Sequence, residues 1–450
     1  MSIKGEPDTL QIKDASINDA SINDASIGDG PVDIAAVQKR TVITLLFSQA
    51  SGGVGLVATY IVTALLAKDI TGSTVLATVA AACLSIGAAI VSFPLARIMS
   101  SRGRRAGLRT GYLIGAGGAA IALTAAITRS YPLLCLGVLG AGAGNAANLA
   151  TRYAASDLAA PHRRGRTISI IVWATTIGST TGSVVSGMAS DIGEDVGLPI
   201  RGGSYLLSGL MFLVAAAIVE IRLRPDPLAL AGGLGRKTET ESGRPSVRES
   251  LSLIMASPAA RLAVGAMIVS QVTMVGVMSL TPLHMDEGGQ SQSVIGWMMA
   301  FHIWGMYLFS PVVGWLTDRV GQYPMLYTAG LLCTTGAAWA AITPPEGRVG
   351  VFMGNFLIGL GWSFGVVAAS SLLVAEFPVE QRVGVQGVGD LAMIGSGALA
   401  GLLAGLLYIF LGYSGVNTGN ALFGAALNLA TAATYLIVRR HGPTGRPLAA

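Results

Sequence analysis

Charge is scarce along this chain of 450 residues: Asp, Glu, Lys and Arg together make 12 % of it, where a soluble domain carries about 25 %. So few charges cannot cover a water-facing surface, which excludes an ordinary soluble globule. Acidic groups are scarcest where the chain is most apolar. None of the 24 falls in the middle of a predicted apolar span, so a buried carboxylate that could bind a proton is not evident. The three cysteines, Cys83, Cys135 and Cys333, sit in apolar runs without metal or disulfide spacing and read as small core residues. The four histidines, His162, His284, His302 and His441, are scattered, and no phosphate-binding Gly-Lys-Ser/Thr loop occurs. These absences argue against an enzyme and leave no cofactor or metal to expect. The first apolar run begins only near Thr41, so no cleavable leader is predicted.

Apolar residues, at 52 %, and glycine, at 60 positions, fill the space that charge leaves. A membrane-spanning helix needs about 20 mostly apolar residues. Twelve such runs begin near residues 41, 74, 108, 131, 167, 203, 262, 293, 325, 349, 388 and 420. Basic residues favour the cytoplasmic side, and one alternating assignment of loops puts 25 of the 29 Lys and Arg on a single face. That placement predicts an even number of spans with both termini cytoplasmic in a cell inner membrane, and it explains the +5 net charge without nucleic acid. Residues 1–40, which carry a pentapeptide repeat starting at Asp14, are too polar to bury a core. They are expected to form a disordered cytoplasmic tail. A second polar stretch, 223–261, separates two sets of six spans, 41–222 and 262–439, and 440–450 forms a short cytoplasmic end.

The two sets repeat one another at a shift of about 219 residues. Gly140 and Gly142 fall on Gly359 and Gly361, Asp157 on Glu376, and Gly165 on Gly384. Many secondary transporters are built from such repeats, with the site near the midplane where the halves meet. After the eighth span the run Gly314, Asp318, Arg319, Gly321 resembles the signature loop of the major facilitator superfamily. The matching loop of the first half keeps Arg102, Gly103, Arg104 and Arg105 but has Ser100 at the acidic position. The resemblance covers residues 41–440. It implies an all-α membrane fold, two six-helix bundles related by a pseudo-twofold axis, that rock around a central site. In the fifth span, Gly178, Gly182 and Gly187 resemble a glycine-rich pattern of proton-coupled exporters, with Ser183 where that pattern has proline. Tight packing through small residues explains them equally well.

Site residues follow partly from spacing and partly from the resemblance. Asn145, Asn148 and Arg152 recur at i, i+3, i+7, one stripe of the fourth helix, and polar groups in hydrocarbon should face a cavity or a partner. In the superfamily the first, fourth, seventh and tenth helices line the cavity, which adds Gln49, Gln271, Asn355 and Trp362; Asn and Gln also join helices directly. The resemblance further implies a latch that holds the cytoplasmic face shut, made from Arg102, Arg104, Arg105, Asp157, Asp318, Arg319, Glu376 and Asp390. Asp390, near the start of the eleventh span, is placed to face its own helix dipole. The alternative is that these charges are solvated topology signals worth about 0–1 kcal/mol per pair. His302, well inside the eighth span, is the candidate for proton coupling, or else a neutral bridge between helices.

With no nucleotide loop, the expected function is secondary, gradient-driven transport of small organic molecules by alternating access, with export against proton entry preferred. Uptake or facilitated diffusion of a nutrient or vitamin-like compound is the alternative. A receptor or scaffold would need neither the duplicated loops nor the polar stripe. The expected partners are a small-molecule substrate, membrane lipid and protons, and the expected state is a monomer.

Overall fold

A computed structural model describes residues 33–199, 201–234, 246–290 and 292–441. The pentapeptide repeat, most of the N-terminal tail, residues 235–245 of the central loop and residues 442–450 lie outside them. Ten helices among the described residues are long and apolar enough to cross a membrane. Two are far longer than one crossing: Thr74–Thr128 has 55 residues and Val379–His441 has 63. At 1.5 Å per residue they would reach roughly 80 and 95 Å, against a hydrocarbon core of about 30 Å. Each breaks at a glycine with positive φ, Gly103 at 89° and Gly412 at 65°. The breaks turn ten long helices into twelve spans: α1 (Ile34–Thr71), α2 (74–102), α3 (104–128), α4 (Tyr131–Ser156), α5 (Arg164–Asp195), α6 (Gly202–Arg222), α7 (Pro258–Glu287), α8 (292–320), α9 (Gln322–Ile342), α10 (Arg348–Glu376), α11 (379–411) and α12 (413–441).

α1 to α6 pack into one bundle and α7 to α12 into another. The repeat is visible in the backbone: the turn from α2 to α3 pivots on Gly103 (φ 89°, ψ 167°) and the turn from α8 to α9 on Gly321 (φ 101°, ψ 163°). A side chain is strained at such φ values, which accounts for glycine at both pivots. Large apolar side chains such as Phe47, Ile90, Ile221 and Leu429 are exposed around the outside, as a lipid-facing surface requires. Gln38 near the start of α1 donates to the Ala155 carbonyl near the end of α4 at 2.7 Å. That contact places the first turns of α1 on the face that carries the arginine-rich loops, hereafter the basic face.

Three boundaries differ from the sequence reading. α1 starts at Ile34 because the Asp33 carboxylate caps it, accepting from the Ala35 and Ala36 amides at 2.9 and 3.1 Å; residues 34–40 therefore belong to the first helix and not to the tail. The polar central stretch contains a helix, Val247–Ala256, capped by Ser246, and α7 already begins at Pro258. α11 begins at residue 379, nine residues before its apolar run, because its first turns are polar and buried against the other half.

Candidate gate and transport path between the halves

Arg104 stands directly after the Gly103 pivot and is almost fully buried. Its guanidinium holds the Asp157 carboxylate with two bonds, Nε to Oδ2 at 2.8 Å and Nη2 to Oδ1 at 3.1 Å. This planar fork is the strong form of the Arg–carboxylate contact. Asp157 follows the last turn of α4. The same Nη2 donates to Gln386 Oε1 at 2.8 Å, and Gln386 lies on α11, so the first half's ion pair reaches into the second. Asp226, just beyond α6, supports the pivot by accepting the Arg105 amide at 2.8 Å and the Leu228 amide at 3.0 Å. A methyl group at Gly103 would strike the Asp226 carboxyl at 2.6 Å.

One to two turns deeper, Arg152 of α4 pairs with Asp390 of α11, both side chains at most 5 % exposed. Arg152 also donates to Ser370 of α10 at 3.1 Å, to the Leu149 carbonyl at 2.7 Å and to the Tyr153 hydroxyl at 3.1 Å. Its guanidinium lies 4.4 Å from the Tyr153 ring centroid. Asp390 is thus eleven residues inside its helix, deeper than the position near the start of the span that the sequence reading assigns to it. The difference comes from the late start assigned to α11.

Asp318 closes a third contact from the opposite direction. Its two carboxylate oxygens accept the Gly165 and Arg166 amides at 2.7 and 2.8 Å, at the first turn of α5, where free amides and the helix dipole favour an anion. About two turns along α8 from Asp318, Ser310 donates to the Ser169 carbonyl of α5 at 2.9 Å. Among the described residues Ser100, its counterpart in the first half, bonds only its own helix, to the Arg97 carbonyl at 2.9 Å. The joint between the halves is therefore asymmetric: a carboxylate caps α5, whereas α11 is held through Gln386 and Asp390.

Other expected latch residues lie elsewhere. Arg102 is exposed and no ion pair forms to it among the described residues. Arg105 faces Glu220 at 4.0 Å, sharing it with Arg109 at 2.9 Å and Arg224 at 3.1 Å, all within the first half. Arg319 stacks over Trp315 at 5.3 Å. Glu376 does not join Asp318 and Arg319 but accepts from Ser257, the cap of α7, at 2.6 Å. Gly178 and Gly182 face the α1 backbone, with a methyl there meeting the Ala50 carbonyl at 2.6 Å and Val54 Cα at 3.0 Å. Gly187 is corrected as a packing residue, since a methyl there meets nothing within 4 Å.

The expected cavity residues divide in two. Gln49, Asn148 and Asn355 serve joints inside one half: Gln49 links Thr151 at 2.5 Å and Thr175 at 2.9 Å, Tyr112 donates to Asn148 at 2.7 Å, and Asn355 meets Thr281 at 3.3 Å. Asn145 and Gln271 remain half-buried. Gln271 accepts from Trp362 Nε1 at 2.8 Å, and the Trp362 ring meets Tyr307 edge-on at 5.5 Å. His302 is buried between α8 and α10 of one half, its Nδ1 2.8 Å from the Asn355 carbonyl. Gln386 and Ser370 had no signal in the sequence, being neutral residues in stretches that carry no motif.

Two helical bundles with polar joints between them at one face are the architecture of a membrane transport protein. The chain belongs to the Major Facilitator Superfamily, which it matches over residues 43–288 and again over 262–450. It is 34 % identical over 375 residues to the uncharacterised MFS-type transporter YdeG of Bacillus subtilis, covering 83 % of this chain and 86 % of that one. It is also 26 % identical over 388 residues to the riboflavin transporter RfnT of Brucella anthropi, covering 85 % and 92 %. Among solved structures, the E. coli fucose:proton symporter FucP shares the fold with a TM-score of 0.66 at 15 % identity, over 88 % of this chain and 98 % of that one.

Proposed function

We propose that this protein is a secondary transporter of small organic molecules that works by alternating access, with the contacts at the basic face forming its closed gate. One observation carries the reading: Arg104, already paired with Asp157, reaches Gln386 across the interface, while Asp318 reaches back to cap α5. Such paired contacts hold when the halves lean together at this face and break when they lean apart. The substrate path runs between the halves, lined by Asn145, Gln271 and Trp362, the first two of them half-buried. The basic face is cytoplasmic in a cell inner membrane, by the excess of Lys and Arg on its loops, and the working unit is a monomer.

For direction, export against proton entry is supported by the glycine pattern of α5, whose Gly178 and Gly182 lie against α1. A second reading, uptake of a vitamin-like compound, is favoured by the likeness to the riboflavin transporter. The test is transport by purified protein in liposomes, with labelled riboflavin first and then a panel of toxic dyes and drugs. Substrate-dependent movement against its gradient under an imposed proton gradient supports secondary transport, and its direction decides between the readings. Failure of every compound to move faster than in protein-free liposomes would sink the proposal.

A further inference from the structure

The gate contains a charge that the clamp at Arg104 does not need. Asp390 and Arg152 lie on opposite halves and on the membrane side of that clamp: Arg152 precedes Asp157 by five residues and Asp390 follows Gln386 by four, about 6–8 Å along each helix. Between the clamp and this pair is a cavity of about 20 Å³ lined by Ser92, Arg104, Tyr153, Gln386 and Asp390 among others, room for about one water molecule. The Gln386 Nε2 amide is buried beside it without a protein partner, while its Oε1 is engaged by Arg104. A buried donor of this kind needs an acceptor, and Asp390 lines the same cavity, which has room for a water between the two.

We infer that Asp390 is the proton-binding group of the transport cycle and that its protonation releases the basic face. The inference rests on the alternating-access reading above. A proton delivered by water converts the Asp390 carboxylate to a neutral acid, and the interface loses the attraction between Asp390 and Arg152. Arg152 keeps Ser370, the Leu149 carbonyl and Tyr153 as hydrogen-bond partners, so the guanidinium stays solvated by protein when its counter-charge is lost. The charged and titratable groups around Asp390 are Arg152 and Tyr153 from α4 and Arg104 from α3; Arg382, two turns earlier on its own helix, faces Arg104, Asp157 and Arg164 instead, and Asp157 lies beyond Arg104 and is paired with it. Among the described residues the His302 side chain, by contrast, hydrogen-bonds only within its own half, so no hydrogen bond between the halves depends on its proton.

The test reads the gate directly, without a known substrate. The full chain, with its three cysteines replaced, receives spin labels at Ser101→Cys and Val320→Cys, exposed positions at the basic-face ends of α2 and α8. The distance between labels is measured in lipid nanodiscs from neutral to acid pH. The expected result is a longer distance on acidification in the parent, a pH-independent long distance in Asp390→Asn, and a retained pH response in Asp390→Glu and Asp318→Asn. If Asp390→Asn shifts with pH as the parent does, or the parent never shifts, the inference is overturned. Arg104→Gln separates the two claims: a longer distance there at every pH upholds the rocking gate even where Asp390 fails as its proton site.

Discussion

Arg104 binds three oxygens at once, two on Asp157 and one on Gln386, and that geometry decides what its loss should do. Arg104→Gln leaves a buried carboxylate without its counter-charge, and breaking one side of a buried pair costs about 3–5 kcal/mol, whereas removing both charges costs far less. Arg104→Gln should therefore lower the thermal unfolding midpoint of the purified protein more than Arg104→Gln with Asp157→Asn. Tryptophan fluorescence on heating measures it, and a double variant no more stable than the single one would reassign the pair to a solvated role. The sequence displayed both charges and placed them on one face, so this half of the contact was legible. Gln386 was not, because a neutral amide carries no topological signal, and Asp390 was misplaced because the polar first turns of α11 read as a loop.

Helices were easier to read than single contacts. Twelve apolar runs correspond to twelve spans because lipid demands a continuous apolar stretch of fixed length whatever the tertiary packing. What the runs could not reveal is that α2 and α3, and α11 and α12, continue as helix through their turns, broken only at Gly103 and Gly412. The glycines of α5 give an element-scale prediction, because they sit on one helix with different surroundings. Gly178 lies against the α1 backbone, and Gly187 faces open space. Gly178→Val must push α1 and α5 apart, an overpacking cost of about 1–3 kcal/mol, and should lower the melting temperature and the yield of folded protein. Gly187→Val should leave both unchanged. Equal behaviour of the two variants in a thermal-shift assay would contradict this packing of α5 on α1.

At the scale of the whole molecule, the polar contacts between the halves described above all belong to the basic face, contributed by the ends of α3, α4, α5, α8, α10 and α11. In the gate proposed above, two rigid bundles joined there have one soft coordinate, the angle between them, and substrate would reach the basic side only when these contacts separate. The repeat in the sequence pointed to such a pair of bundles, since two equivalent units pack most simply about a twofold axis. It could not show which face the halves close on, because both arrangements use the same residues. A covalent tether tests that closure. With cysteines at positions 162 and 320 in a background free of others, a short bismaleimide should join the turn before α5 to the end of α8, which meet across the interface, and stop turnover, reducing transport in liposomes to the level without protein. A bismaleimide cleavable by reductant should restore it, and each single cysteine treated alike should keep full activity. Persistent transport by the tethered protein would mean that the basic face need not open, and the gate assigned to Arg104, Gln386 and Asp318 would then be a fixed joint between two halves that move elsewhere.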